Sequence, residues 1–235
     1  MIICLAGTKG GSGRSTTATN FACIAAGQGA DVLLVDADDQ ETAADFTAAR
    51  KQDHPEAAKF TCTKLTGRAV RTEVLELAPK YDHVIIDTGG RDTTSQRAAL
   101  SVSDVLLIPF APRSFDIWTV NKVADLVEEM RTVNPKLKAL VFLNRTDPQG
   151  QGSENEETAE LLKGIKGLIF IDAPIGARKA YAHAASQGLA VTELTGQYRN
   201  AKAVEEMMKL FQHCFNFNQE IPRSLLRGYL VKGRV

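Results

Sequence analysis

Short, unbroken apolar runs recur along the chain. Each is closed by an acid, a proline or a glycine-rich turn and followed by residues at helical spacing. Ile2-Ile3-Cys4-Leu5-Ala6, Asp31-Val32-Leu33-Leu34-Val35, His83-Val84-Ile85-Ile86-Asp87, Asp104-Val105-Leu106-Leu107-Ile108-Pro109 and Lys138 to Leu143 are continuous rather than alternating. Continuity of this kind belongs to parallel strands covered on both faces. Phe60 to Leu65 and Leu168 to Ile171 predict two more strands. Helices are predicted over Thr16 to Ala26, 41–50, Arg68 to Ala78, Ser95 to Leu100, Pro112 to about Val133, Glu156 to Lys163, Arg178 to Gln187 and Arg199 to Phe215. In the longest, Val120, Val123, Ala124, Val127 and Met130 make one apolar stripe, and Trp118 is read as packing. Segments 51–58 and 147–155 read as connections, with His54 at the surface. Strand and helix thus alternate through nearly the whole length. That predicts an α/β fold with a doubly wound, mostly parallel sheet flanked by helices. Residues 1–215 read as a single domain and 216–235 as a separate tail.

Composition narrows the function classes. With 235 residues, 44% apolar content and 24% charged content, the chain can bury a real core. Its formal net charge is zero, so a nucleic-acid contact would have to come from a local patch. Cys4, Cys23, Cys62 and Cys214 are widely spaced. Without a C-x-x-C pair, zinc and iron–sulfur chemistry have no support. No stretch is long and apolar enough to span a membrane. A reduced, cytosolic protein is expected.

The chemistry concentrates where the apolar runs end. After the first run comes Thr8-Lys9-Gly10-Gly11-Ser12-Gly13-Arg14-Ser15-Thr16, and then a helix. A strand, a glycine-rich turn and a helix start point backbone N–H groups at a phosphate. Ser15 offers a hydroxyl to a phosphate-bound Mg²⁺, and Thr16 one to a phosphate oxygen. The second run ends in Asp36-Ala37-Asp38-Asp39-Gln40, and the run before Thr88-Gly89-Gly90 ends in Asp87. In an open α/β sheet such acids share the crevice at the carboxyl ends of the strands. Taken alone, they also suit polar turns and helix caps.

The string Lys9-Gly10-Gly11-Ser12-Gly13-Arg14-Ser15 resembles the deviant Walker A phosphate loop K-G-G-x-G-K-[ST] of the ParA/MinD family of P-loop partitioning and positioning ATPases. Thr8 replaces the first glycine of the general pattern, and Arg14 replaces the lysine. The Asp36 to Gln40 segment resembles the family's D-x-D-P-Q motif, with Asp39 in place of proline. The resemblance implies ATP, ADP and Mg²⁺ as ligands. Gly10, Gly11, Ser12, Gly13, Arg14, Ser15 and Thr16 would hold the phosphates. Ser15, Asp36 (through water) and Asp87 would hold the metal, and Asp38 would position the attacking water. Asn144, at the end of the fifth continuous strand, would read the adenine amino group; a turn asparagine is the competing reading. Lys9 would reach across a dimer interface to the partner's phosphate. Residues 88–92 would form a switch.

The same resemblance implies a nucleotide-gated homodimer that works with a ParB-type or other adaptor. It would bind nonspecific DNA, associate with the nucleoid, and segregate a plasmid or chromosome or position a cargo. Arg178, Lys179, Arg199, Lys202 and Lys209 are the candidate DNA contacts; a solvated basic face is the competing reading. Arginine at position 14 keeps the charge but not the compact shape of lysine. Nucleotide binding with poor hydrolysis is therefore expected. A MinD-like membrane role would need the tail, where Ile221, Leu225, Leu226, Tyr229 and Leu230 share a face that Pro222 and Gly228 interrupt. A non-hydrolysing nucleotide-binding regulator and an ATP-dependent metabolic enzyme are further alternatives; the chain has little spare length for the latter.

Overall fold

The computed structural model describes residues 1–7, 10–112, 117–147 and 153–216. Expectations for Lys9, the Trp118 side chain and the tail beyond residue 216 lie outside the described residues. Eight strands and eight α-helices are described: β1 (Ile2–Leu5), α1 (Arg14–Gly27), β2 (Val32–Ala37), α2 (Thr42–Asp53), β3 (Thr61–Lys64), α3 (Ala69–Leu77), β4 (His83–Thr88), α4 (Thr94–Leu100), β5 (Val105–Phe110), α5 (Ile117–Val133), β6 (Lys138–Thr146), α6 (Glu154–Lys163), β7 (Ile169–Phe170), β8 (Ile175–Gly176), α7 (Lys179–Ser186) and α8 (Ala201–Asn216). The sheet order is β3-β2-β4-β1-β5-β6-β7, with β8 also paired to β6. Every described strand pair is parallel.

Parallel neighbours need crossover helices, and these cover both faces of the sheet. Alternate residues of one continuous run therefore enter two different cores. Ile3 and Leu5 pack with α1, α7 and α8, around Phe21, Ala184, Leu210 and Phe211. Cys4 and Ala6 pack on the opposite face with Val74, Leu100, Val127 and Leu162 of α3 to α6. Val120, Val123, Val127 and Met130 of the expected stripe are buried. All four cysteines are free, and Cys4, Cys23 and Cys214 are buried.

Three local expectations need correction. α1 begins at Arg14 rather than Thr16, because left-handed Gly13 turns the chain into the helix directly. α2 continues through Asp53 into the expected connection. His54 is half-buried at its end rather than at the surface, with Nε2 3.0 Å from the Gln187 carbonyl. The last strand also differs. Ile175 and Gly176, outside every predicted strand, form β8 beside Asn144 and Thr146.

α2 is fastened to the segment after α7 by a buried arginine. Arg50 donates to both Glu193 oxygens at 2.7 Å and to the Gly188 carbonyl at 3.1 Å. Glu193 also accepts the Ala190 N–H, so the pair is closed by further hydrogen bonds. Gly188 has φ of 65°, and a Cβ there would lie 2.6 Å from the Arg50 backbone nitrogen. Gly188→Ala is therefore expected to cost about 2 kcal/mol or more in urea unfolding. Gly27→Ala, at a helical position with open space around it, should be neutral or stabilise by up to about 1 kcal/mol. Equal effects at the two positions would contradict this difference in backbone demand.

Candidate functional site

The chain leaves β1 toward β2 on one side, and leaves its neighbour β5 toward β6 on the other. Connections that diverge in this way open a crevice at the carboxyl ends of the strands. A cleft of about 860 Å³ lies there, lined by residues 10–16, 37–40 and 89–91 together with Arg145. Gly11 and Gly13 have φ of 71° and 99°, which lets the loop bend back over the start of α1. No side chain caps α1, and its first turn carries no acid. Its N-terminal N–H groups and positive dipole end are therefore available to an anion.

Register brings the acids together. Asp87 pairs with Leu5 at the end of β1, and on its other side with Asp36. Adjacent strands lie about 4.8 Å apart, so two carboxylates occupy neighbouring positions beside the loop. Asp36 is buried, and its oxygens accept the Asp38 and Ala44 N–H groups at 3.1 and 2.8 Å. Burial raises its pKa, and those two N–H groups partly offset the rise. Asp38 is half-buried and accepts the Gln40 N–H. A Cβ on Gly89 would stand 3.3 Å from its Oδ1, so the switch backbone passes close to that carboxylate.

Asp87 is fully buried, and neither of its oxygens has a hydrogen-bond partner among the described residues. Burial first, and then the nearby Asp36, push its pKa up to about 7; Ser15 and Arg14 pull it down. The Ser15 hydroxyl is near enough to moderate the carboxylate without making a well-formed hydrogen bond to it. An orphaned carboxylate beside a serine hydroxyl and an open helix N-terminus suits a hard divalent cation that carries phosphate. Among the described residues no group of three His, Cys, Asp or Glu side chains could hold a metal alone.

Arg14 is buried on the first turn of α1. Its Nε donates to the Thr88 carbonyl at 2.9 Å, and one Nη donates to Ser12 Oγ at 2.9 Å. Burial lowers its pKa, while Asp87 and Asp38 raise it. Thr88 opens the expected switch, so the guanidinium joins the phosphate loop to the switch. Thr88 Oγ1 and Gln96 Nε2 donate to the carbonyls of Leu5 and Gly7, which fastens the start of the loop from β4 and α4.

Asn144 does not face an open pocket. Its Nδ2 donates to the Ser12 carbonyl at 2.5 Å, and its Oδ1 accepts the Arg145 N–H at 3.0 Å. A Cβ on Gly13 would lie 2.1 Å from Nδ2, so this glycine is required by the asparagine's approach. The predicted residues 10–16, Asp36, Asp38, Asp87 and Asn144 therefore converge on one region. Gln96 and Arg145 were missed by sequence reasoning. Gln96 lies inside a helix with no motif around it, and Arg145 is marked only by its place after Asn144. Of the five cations proposed for DNA, Arg178 is committed to Glu206 by bonds of 2.9 and 2.6 Å. Lys179, Arg199, Lys202 and Lys209 lie on or beside α7 and α8.

A family model described as the CobQ/CobB/MinD/ParA nucleotide binding domain matches residues 3–191. Maintenance of carboxysome distribution protein A of Gloeobacter kilaueensis is 31% identical over 207 residues, covering 87% of this chain and 88% of the relative. The protein of the same name from Halothiobacillus neapolitanus is 29% identical over 203 residues, covering 85% and 90%. The solved ATP complex of a Cyanothece McdA variant superposes with a TM-score of 0.74 at 17% identity, covering 94% of this chain and 98% of that one. The Pyrococcus furiosus cell division ATPase MinD gives 0.67 at 18%, covering 92% and 98%. At such identities these two structures establish a shared fold. No described helix is long and apolar enough to cross a membrane.

The orphaned carboxylate has a pH signature. Asp87 titrates near 7 in the fold and near 4 when unfolded. Below about pH 4 it is protonated in both states and costs nothing. Between pH 4 and 7 the folded state holds on to the proton, so stability is lost as pH rises through this window. Asp87→Asn removes that loss and adds a pH-independent amide burial cost. The stability of Asp87→Asn relative to the parent, both free of ligand, should rise between pH 4.5 and 8 by on the order of 1–4 kcal/mol. Denaturant melts at the two pH values check this, and a flat difference would contradict it.

Proposed function

The chain belongs to the CobQ/CobB/MinD/ParA nucleotide-binding family, and from that premise we propose that it works as a ParA-type positioning ATPase on an ATP·Mg²⁺ cycle. The observation that carries this reading is the partnerless Asp87 beside the uncapped N-terminus of α1. One element lacks a cation and the other lacks an anion, and Mg²⁺ with a triphosphate meets both needs. Loop N–H groups from Gly10 to Thr16 cradle the phosphates. Ser15 and Asp87 would hold the metal, with Asp36 as the further carboxylate beside them. Mg²⁺ held there would neutralise phosphate charge.

Asp38 stands at the mouth of the cleft opposite Gly89, where it can orient an attacking water. Arg14 is the departure from the family's loop. Its guanidinium is tied to the Thr88 carbonyl and the Ser12 hydroxyl. Phosphoryl transfer depends almost wholly on positioning. A cation anchored in this way binds phosphate weakly and leaves the transferred group less well placed, so turnover is slow. Lys9 of one subunit supplies a cation to the other's nucleotide, which makes ATP the joint of a homodimer.

Relatives are named for maintaining carboxysome distribution. By the same logic this chain would space a cellular cargo through an adaptor while holding nonspecific DNA. Lys179, Arg199, Lys202 and Lys209, on α7, α8 and the segment between them, are the cations for that contact.

Calorimetry is expected to detect ATP uptake in Mg²⁺, and gel filtration a shift to dimer with ATP but not with ADP. No uptake would end the reading. Arg14→Lys should raise turnover by roughly a hundredfold; equal rates would show that Arg14 does not limit the step. Lys202→Glu with Lys209→Glu should weaken ATP-dependent DNA retention and flatten its salt slope by roughly two. Unchanged retention would move the DNA contact elsewhere.

A further inference from the structure

Arg145 is a cation in the cleft that neither the metal nor the phosphate cradle requires. β6 does not end with its apolar run but continues to Thr146 through a bulge. Asn144 pairs with Ile175 and Thr146 with Gly176, while Arg145 between them is unpaired. Arg145 has φ of 57°, and Glu41 is the only other described non-glycine residue with positive φ. Long side chains avoid that conformation, and bulges that re-aim a side chain are enriched beside active sites. The bulge turns Arg145 into the cleft, where it is exposed. Among the described residues its guanidinium makes no hydrogen bond or ion pair; only its backbone N–H is engaged, by Asn144.

Strand order shows which part of a nucleotide would meet it. The loop sits after β1. The acids Asp87 and Asp36 lie to one side, on β4 and β2, and β5 and β6 lie to the other. Metal and terminal phosphates are drawn toward the acids. The base must then extend the opposite way, over β6, about 10 Å from β1. Arg91 also lines the cleft, but it follows β4 on the acid side.

We propose that Arg145 recognises the base of the bound nucleotide by laying its planar guanidinium on the base's face. Asn144 is then also a positioning residue, joining Arg145 to the phosphate loop through the Arg145 N–H and the Ser12 carbonyl. A flat, delocalised cation is favoured over an aromatic face, whereas a lysine ammonium is a compact point charge. The proposal rests on the nucleotide reading and adds to it the residue that grips the base.

The test compares ATP with inorganic tripolyphosphate, each with Mg²⁺, on the full chain and on Arg145→Ala, Arg145→Lys and Arg145→Gly. Arg145→Ala should weaken ATP roughly five- to thirtyfold and leave tripolyphosphate unchanged. Arg145→Lys should recover only a small part of the loss. Arg145→Gly should lose ATP affinity to the same extent while its Tm stays level or rises, because glycine accepts the left-handed backbone. Equal weakening of tripolyphosphate would assign Arg145 to the phosphates and overturn the proposal. So would full recovery with lysine, unchanged ATP affinity in Arg145→Ala, or a lowered Tm in Arg145→Gly. Failure of the unaltered chain to bind either ligand would remove the nucleotide reading itself. Normal ATP binding with an indifferent Arg145→Ala would remove only the role given to Arg145.

Discussion

A carboxylate sealed from water without a partner is costly, and the site is arranged around one. Asp87 stands at the end of β4, between β1 and β2, in the driest part of the sheet. Desolvation and the neighbouring Asp36 both oppose its ionisation. The fold keeps the acid there because the strands on either side are held by two cores, and parallel register leaves its side chain no other place. A divalent cation held there would remove the penalty, and the uncapped turn of α1 would supply the complementary field for an accompanying anion.

Two side chains hold the phosphate loop from opposite sides. Asn144 grips the Ser12 carbonyl from β6, and Arg14 reaches from α1 to the Thr88 carbonyl on β4. The loop is therefore tied to β4 on one side and to β6 on the other. Arginine at position 14 preserves the charge in the loop but redirects it: a longer, planar donor finds backbone and hydroxyl acceptors that a lysine's point charge would not satisfy with the same geometry. The loop's arginine is thereby committed to the Thr88 carbonyl and the Ser12 hydroxyl.

Much of the fold was legible because unbroken apolar runs have one stable use in a chain of this size. Buried parallel strands need continuous hydrophobicity, and every such run became a strand. The loop and the acids at the strand ends were legible for a related reason. A phosphate cradle needs glycine where φ is positive, and a metal needs oxygen donors at the carboxyl ends. Short and irregular elements were not legible. β8 is two residues long, and its pairing depends on β6 running past Leu143, which no local pattern announces.

By itself, then, the sequence determined the strand–helix alternation, the phosphate loop and the acids that accompany it. These depend on local periodicity and on residue chemistry at fixed spacing. The tertiary structure alone decided which strand lies beside which, and hence that Asp36, Asp87 and the loop meet. It also decided that Arg14 turns to Thr88, that Asn144 fastens the loop, and that Arg145 is thrown into the cleft by a bulge. The physical reason is that register, burial and backbone φ are set by contacts between residues far apart in the chain, and no window of sequence contains both partners.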